Sequence, residues 1–300
     1  VYKRQVDACA SEPIELQPGY VTKPWGREIW YSGVERRCVC NFLQAGAETP
    51  IPWLQAVLPD AAAGAAGEAL TLLKTLDPDP TPVLGDLYFE LHEEKREVYV
   101  VTRIDPQAWP DGVGYIRYGF DPERIGQYPS EEQFRAAYFS AVKAYESVRR
   151  ALDSVRVGEA PDRTLVEREP VLREAMNSFT GLRALRVGDV VEVPLLVPHA
   201  LQHGVRTVEF QTPSYERNIL SFAQKVLTQD HWDTAAAVEK MRLRPPEASP
   251  FAGLQRIDGV ENVQPWVWYQ SSSGGKALTE LGRDFGCELR ISRYKQTSSL

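Results

Sequence analysis

Between residues 18 and 43 the apolar positions come in short runs set among turn formers, a pattern that predicts strands at 20–22, 28–31 and 37–42. The texture changes at Ala61. An alanine-rich stretch there leads into 68–76, which reads as a helical run closed by Asp77, Pro78, Asp79 and Pro80. Strand patterns return at 86–92 and 97–102, where successive side chains go to opposite faces of a sheet. Ser130 with Gln133 three residues on is a helix-capping signature. Phe134, Tyr138, Val142 and Tyr145 follow at helical spacing and predict a helix to about 155. A second helix is expected to start near Thr164 or Pro170 and to stop before Gly181. From 182 to 221 strands dominate again, with a turn at Gly188 and Asp189 and alternation over 205–211. A short helix is expected at 234–241, ended by Arg244, Pro245 and Pro246.

Two β-rich segments far apart in the chain can share one sheet structure, with the helices between them inserted. A mainly β jelly-roll barrel with a helical insertion fits this order better than an alternating α/β sheet. The expected organisation is an N-terminal tail over 1–19, a barrel domain over 20–243 with its insertion at about 130–178, and a C-terminal β segment over 244–300. Residues 1–5 look like a translated sequencing-transposon end and are set aside. The patterns show no repeat at a solenoid period.

Composition narrows what such a domain does. Three hundred residues carry 34 Lys+Arg against 41 Asp+Glu, a net charge of -7, and 43% are hydrophobic. The ordinary apolar fraction excludes global disorder. Mild acidity argues against nucleic acid as the main partner, because a phosphate backbone calls for a basic face. No run reaches the length of a membrane span; the mildest stretch, 190–200, is broken by Glu192, Pro194 and Pro198. Cys9, Cys38, Cys40 and Cys287 make neither a disulfide framework nor a zinc cluster, and read as reduced thiols of a cytoplasmic protein. With no basic-then-apolar leader at residue 1, export is not expected. GxGxxG, GxxxxGK[ST] and GxSxG patterns are all absent, so dinucleotide, P-loop and serine-hydrolase chemistry have no support.

The four histidines are His92, His199, His203 and His231. Glu90 and His92 are two apart on a predicted strand, so both side chains leave one face. Glu97 follows a charged turn, and a hairpin would return it beside them. Two carboxylates and an imidazole form a mixed N/O set suited to zinc, iron or manganese. His199, held by the corner of Pro194 and Pro198, could complete four ligands. The plainer alternative is that these histidines are hydrogen-bonded packing residues and that 93–96 is a solvated turn. His203 reads as lining the pocket or buried for structure, and His231 as packing or capping the helix after it. Trp25, Trp30 and Trp53 could form a sugar-stacking wall, though aromatic core is the default for them.

A short ExHxxxxE stretch followed by a glycine turn and Pro-x-x-x-Pro-His resembles the paired metal motifs of the cupin superfamily. More narrowly, the chain resembles the type I mannose-6-phosphate isomerases. The matching stretches run in order: Lys23 to Gly26, Leu73 to Asp77, Lys95 to Tyr99, Tyr118 to Phe120, Pro198 with His199, Val208 to Gln211, and Ser214 to Arg217. The resemblance implies a cupin jelly-roll and one Zn2+ per chain, or another divalent metal, held by Glu90, His92, Glu97 and His199. Glu90 stands where the family has Gln. The added carboxylate is expected to bind metal more tightly and to repel an anionic sugar phosphate. Lys95 falls on the family's active-site lysine, and Glu209 and Arg217 on substrate-facing positions; His203 and Trp25 are expected to line the substrate site. Family members often continue with more β structure, so truncation near residue 300 is also an expectation. The implied activity is aldose–ketose isomerisation, foremost mannose 6-phosphate to fructose 6-phosphate, with Glu209 or Lys95 moving the proton. The rivals are a metal cupin of other activity, such as a dioxygenase or an isomerase of unphosphorylated sugar, and a non-catalytic sugar-binding or regulatory cupin. The expected partner is a small sugar or sugar phosphate, with no nucleic acid and no membrane.

Overall fold

A computed structural model of the chain describes residues 15–245, apart from 36, 45, 58–71, 157, 213 and 222–231. Expectations for 1–14, most of the alanine-rich stretch, His231 and the segment after 245 lie outside the described residues. The chain begins with β1 (Glu15–Gln17), β2 (Gly19–Lys23), β3 (Gly26–Trp30), β4 (Val34–Glu35), β5 (Cys38–Val39), β6 (Asn41–Gln44), β7 (Ala47–Pro50) and helix α1 (Ile51–Val57). Then come β8 (Leu72–Pro78), β9 (Phe89–Leu91), β10 (Glu97–Ile104) and β11 (Gly114–Phe120). Three helices follow, α2 (Pro122–Gly126), α3 (Glu131–Asp153) and α4 (Arg163–Asn177). The chain returns to strands with β12 (Thr180–Leu185), β13 (Val190–Val193), β14 (His199–Leu201), β15 (Val205–Gln211) and β16 (Asn218–Ser221), and α5 (Thr234–Lys240) closes the described part.

Two antiparallel sheets carry the fold. One runs β13-β10-β15-β8-β3-β2 and the other β12-β11-β14-β9-β16. Apolar residues of both sheets, including Leu76, Tyr99, Val101 and Val205 from the first and Leu91, Ile116, Leu201 and Ile219 from the second, form one buried cluster. This is a jelly-roll sandwich of the cupin type. On β10 the two-residue period divides the strand. Tyr99 and Val101 face that cluster, while Val98 and Val100 join Val190 and Phe210 in a separate one. The turn from β2 into β3 depends on Gly26, whose φ of 142° and 2.4 Å gap from a would-be Cβ to the Asp77 carbonyl exclude any side chain.

The helical insertion starts where the capping signature sits. Ser130 Oγ accepts from the amide of Gln133, and Phe134, Tyr138, Val142 and Tyr145 are fully buried. Burial of each contributes about 1.5–3 kcal/mol. Phe120, Phe134, Tyr138 and Phe179 meet mostly edge-to-face, pinning α3 to the end of β11. Asp162 caps α4 through the amide of Thr164, so the helix begins at Arg163 and carries Pro170 within it. Among the described residues no helix is long and apolar enough to cross a membrane.

Two sequence expectations are corrected here. Residues 72–76 are not helix: β8 pairs with β3 and β15, Leu72 and Leu76 are buried, and long-range pairing overrides the local helical preference. Nor do the strands around Glu90 and Glu97 form a hairpin. β9 pairs with β14 and β16, whereas β10 pairs with β13 and β15, so residues 93–96 carry the chain from one sheet to the other.

Candidate metal centre and cleft

The crossing at 93–96 brings both sheets to one point. Glu90 on β9 lies directly opposite His199, the first residue of β14; His92 follows β9, and Glu97 opens β10. Glu90, His92 and His199 each offer a donor atom, all within 4.8 Å of one another. Glu97 Oε2 stands 3.4 Å from His92 Nε2 and 3.2 Å from His199 Nε2. His92, Glu97 and His199 are each at most 2% exposed.

The imidazoles are oriented by backbone. His92 Nδ1 lies 3.0 Å from the Glu216 carbonyl, and His199 Nδ1 lies 3.2 Å from that of Val197. A carbonyl only accepts, so each Nδ1 carries a hydrogen, and each Nε2 faces the Glu97 carboxylate. Such contacts are favourable only when a cation, proton or metal, sits among them. Glu90 Oε2 and His92 Nε2 are moreover buried without a hydrogen-bond partner. Leaving such atoms unsatisfied costs about 1–3 kcal/mol apiece. Two imidazole nitrogens and two carboxylates fit zinc, and equally iron or manganese.

Burial opposes charge on Glu97, but Lys95, His92 and the bonds from His199 and His92 outweigh it and hold its carboxyl well below the usual range. Lys95 Nζ pairs with Glu97 Oε1, and Tyr99 donates to Oε2 at 2.6 Å. Burial likewise disfavours the charged form of Glu90, and His92, Lys95 and Arg217 pull its carboxyl down.

Register extends the site across the six-stranded sheet. Tyr99, Glu209, Lys74 and Trp30 form one cross-strand row. Lys74 Nζ lies 3.3 Å from Glu209 Oε2 and 3.8 Å from Glu28 Oε1. Glu28 also accepts from Trp30 Nε1 at 2.8 Å and pairs with Lys23 at 3.3 Å. Burial would strip the proton from Lys74, yet Glu209, Glu28 and Glu97 together raise its affinity for it. Burial and the Glu97 charge push the Glu209 carboxyl well up. Its Oε1 has no hydrogen-bond partner.

Above this row opens a cleft of about 580 Å³, solvent at its mouth included. Of the residues expected from sequence, Trp25, Glu90, Lys95, Glu97, Glu209 and Arg217 line it. His203 does not: in the turn after β14 its ring stacks on Trp109 and its Nδ1 meets Asp86 Oδ1 at 2.7 Å. Trp30 is core, and Trp53 is 60% exposed. Sequence reasoning missed Glu28, Arg37, Lys74, Tyr99 and Gln211 as lining residues. For Lys74 the signal lay in the strand register, which a helical reading of 68–76 hides.

Among solved structures, mannose 6-phosphate isomerase from Bacillus subtilis matches with a TM-score of 0.54 and 14% identity over 78% of this chain and 70% of that one. The Salmonella typhimurium mannose 6-phosphate isomerase bound to substrate and zinc matches at 0.53 and 14%, over 82% and 78% of the two chains. A variant of the Salmonella typhimurium phosphomannose isomerase matches at 0.52 and 16%, over 78% and 75%. The chain has the phosphomannose isomerase fold. No family model and no curated protein sequence matches it. Likeness at 14–16% identity establishes architecture, and the chemistry rests on the residues just described.

Proposed function

We propose that this protein is a divalent-metal aldose–ketose isomerase acting on a sugar phosphate, foremost mannose 6-phosphate to fructose 6-phosphate. The observation that carries the reading is the pair of buried ligand atoms without a hydrogen bond, Glu90 Oε2 and His92 Nε2, at the point where the Nε2 atoms of His92 and His199 both face Glu97. Glu90, His92, Glu97 and His199 would hold the metal, with zinc the first candidate. When bound, it supplies a Lewis acid for a sugar carbonyl and hydroxyl.

The chain's own groups supply the rest. Isomerisation moves a proton between adjacent carbons through an enediol, which needs a base beside the sugar backbone. Glu209 suits this better than Lys95, because its Oε1 is unengaged whereas Lys95 is paired with Glu97. Lys95 then steadies Glu97, and Tyr99 donates to the same carboxylate. Arg217 is the natural fork for the sugar's oxygens or its phosphate. Lys23, Arg37, Lys74, Lys95 and Arg217 face Glu28, Glu90, Glu97, Glu209 and Glu216 around the cleft, an even balance of formal charge. A dication added to that balance makes the cleft cationic, which favours a phosphorylated sugar over a neutral one.

The test is a coupled assay for fructose 6-phosphate formation from mannose 6-phosphate, on protein whose bound metal is quantified in the same preparation. Turnover that a chelator abolishes and zinc restores is the expected result. Stoichiometric metal without turnover on this sugar would remove the assigned substrate. Absence of both would remove the ligand assignment.

A further inference from the structure

The crossing at 93–96 joins two proposed ligands, His92 and Glu97, and carries Lys95 between them, yet it belongs to no strand. Arg96 at its end is tied to Thr212, whose Oγ1 accepts from the Arg96 amide at 3.0 Å, and the other three amides share a single acceptor atom. The backbone amides of Glu93, Glu94 and Lys95 all converge on Glu216 Oε2, at 3.0, 3.2 and 3.4 Å. Consecutive amides converging in this way make an anion-binding nest, and here the anion is supplied by the chain itself. The other carboxylate oxygen accepts from Asn218 Nδ2 at 3.0 Å. Asn218 also donates to Glu93 Oε1 at 3.3 Å, and Lys240 Nζ closes the set on that oxygen at 2.7 Å.

Glu216 has a second grip. Its carbonyl accepts the Nδ1 hydrogen of His92, fixing the tautomer and ring plane that present Nε2 to Glu97. The next residue, Arg217, lines the cleft. One residue therefore ties together the ring of His92, the turn that delivers Lys95, and the backbone from which Arg217 reaches in.

We propose that Glu216 is a positioning residue of this site, a clamp that sets Lys95 against Glu97 and holds the two sheets in register at their crossing. The proposal rests on the isomerase reading above. It adds to that reading a residue that acts through Lys95 and His92 and is not itself a metal ligand or a proton carrier. Its side-chain and main-chain roles separate. Glu216→Ala empties the nest but leaves the carbonyl that orients His92, so bound metal should stay at wild-type stoichiometry while Lys95 loses its fixed place. A misplacement of about 1 Å within such a site costs about 10²-fold, so kcat should fall about 10- to 100-fold with KM nearly unchanged. Glu216→Gln keeps an oxygen acceptor for the three amides and should recover most of that loss.

The experiment pairs turnover with amide hydrogen exchange on the full-length, zinc-loaded protein. In Glu216→Ala the amides of 93–95 should exchange about tenfold faster or more, while those of β10 stay protected. Unchanged exchange at 93–95 would overturn the clamp, whatever the activity. So would an unchanged kcat in Glu216→Ala. Loss of zinc together with activity in Glu216→Gln would overturn it too, because the residue would then be supporting the fold and not Lys95. If wild-type protein binds zinc but does not turn over mannose 6-phosphate, the substrate assignment fails alone, and the exchange arm still decides whether the clamp exists.

Discussion

Lys74 offers the sharpest check on the electrostatics of the cleft. It is 8% exposed and sits between two carboxylates, 3.3 Å from Glu209 and 3.8 Å from Glu28. At an effective dielectric near 20 those contacts amount to about 5 and about 4 kcal/mol of gross Coulomb attraction, most of it offset by the cost of taking three charges out of water. Lys74→Met removes the cation and leaves the anions. Breaking a buried pair in this way costs about 3–5 kcal/mol. Two features push the expectation to the lower end: Glu28 keeps Lys23 at 3.3 Å, and burial with Glu97 already favours the neutral form of Glu209. A loss of about 3 kcal/mol should lower the melting temperature by about 6–12 °C in a domain of this size.

The assay is urea unfolding at neutral pH, on protein of known metal content, for wild type, Lys74→Met, Glu209→Gln and the double variant. Removing both partners should cost less than the sum of the single losses, with a coupling of about 1–3 kcal/mol. A single-variant loss below about 1 kcal/mol, or strict additivity, would refute the claim that the row is held by this ion pair and would return Lys74 to a bystander role.

Three further outcomes follow from the same geometry. Lys95→Ala should abolish most turnover while bound metal stays stoichiometric; loss of metal in step with activity would show that Glu97 needs Lys95 to ligate at all, and not only to be steadied. Glu90→Gln should weaken metal binding about tenfold or more while leaving KM for a sugar phosphate nearly unchanged, read by metal titration and steady-state kinetics; a clearly lower KM would show that the Glu90 charge still reaches the substrate. Burial opposes charge on Glu28, but Lys74, Lys23 and the Trp30 N–H bring its carboxyl below the ordinary value. A lowered folded-state pKa gives stability that is present above the unfolded value of about 4.3 and is lost as pH falls through the folded one. The stability gap between wild type and Glu28→Gln should therefore narrow below about pH 4. A gap that is flat with pH would exclude this ionisation as its source.

What the sequence disclosed, and what it hid, divides along local and long-range interactions. The helical insertion was legible because its signals are local: Ser130 with Gln133 at the cap, and an apolar period through Tyr145. The sheets were legible as texture but not as pairing. Glu90 and His92 leave one face by strand period alone, yet which strand returns Glu97 to them depends on contacts between residues far apart. The natural assumption of a hairpin gives the right neighbours for the wrong reason. For residues 72–76 the same limit produced an error, since a short apolar run reads equally as helix or buried strand until β15 and β3 are seen beside it. With that strand went the polar row, because nothing local ties Lys74 to Glu209. His203 failed differently. Its position four residues after His199 suggests proximity, but β14 ends at Leu201 and His203 lies in the turn beyond it, stacked on Trp109 and bonded to Asp86.

From sequence alone the carboxylate at position 90 works against an anionic substrate, and its surroundings change that conclusion. Glu90 is not an uncompensated charge: His92, Lys95 and Arg217 all favour its ionised form, against the cost of burial. Two carboxylates and two neutral imidazoles around a dication would sum to zero, leaving the substrate end of the cleft to Lys23, Arg37 and Arg217 on the cationic side. The negative charge is thus spent on the metal and on cations that would otherwise compete with it. Glu90 and Arg217 then form a unit, and removing the arginine should weaken substrate binding twice over, by losing a donor and by releasing the field of Glu90 into the cleft.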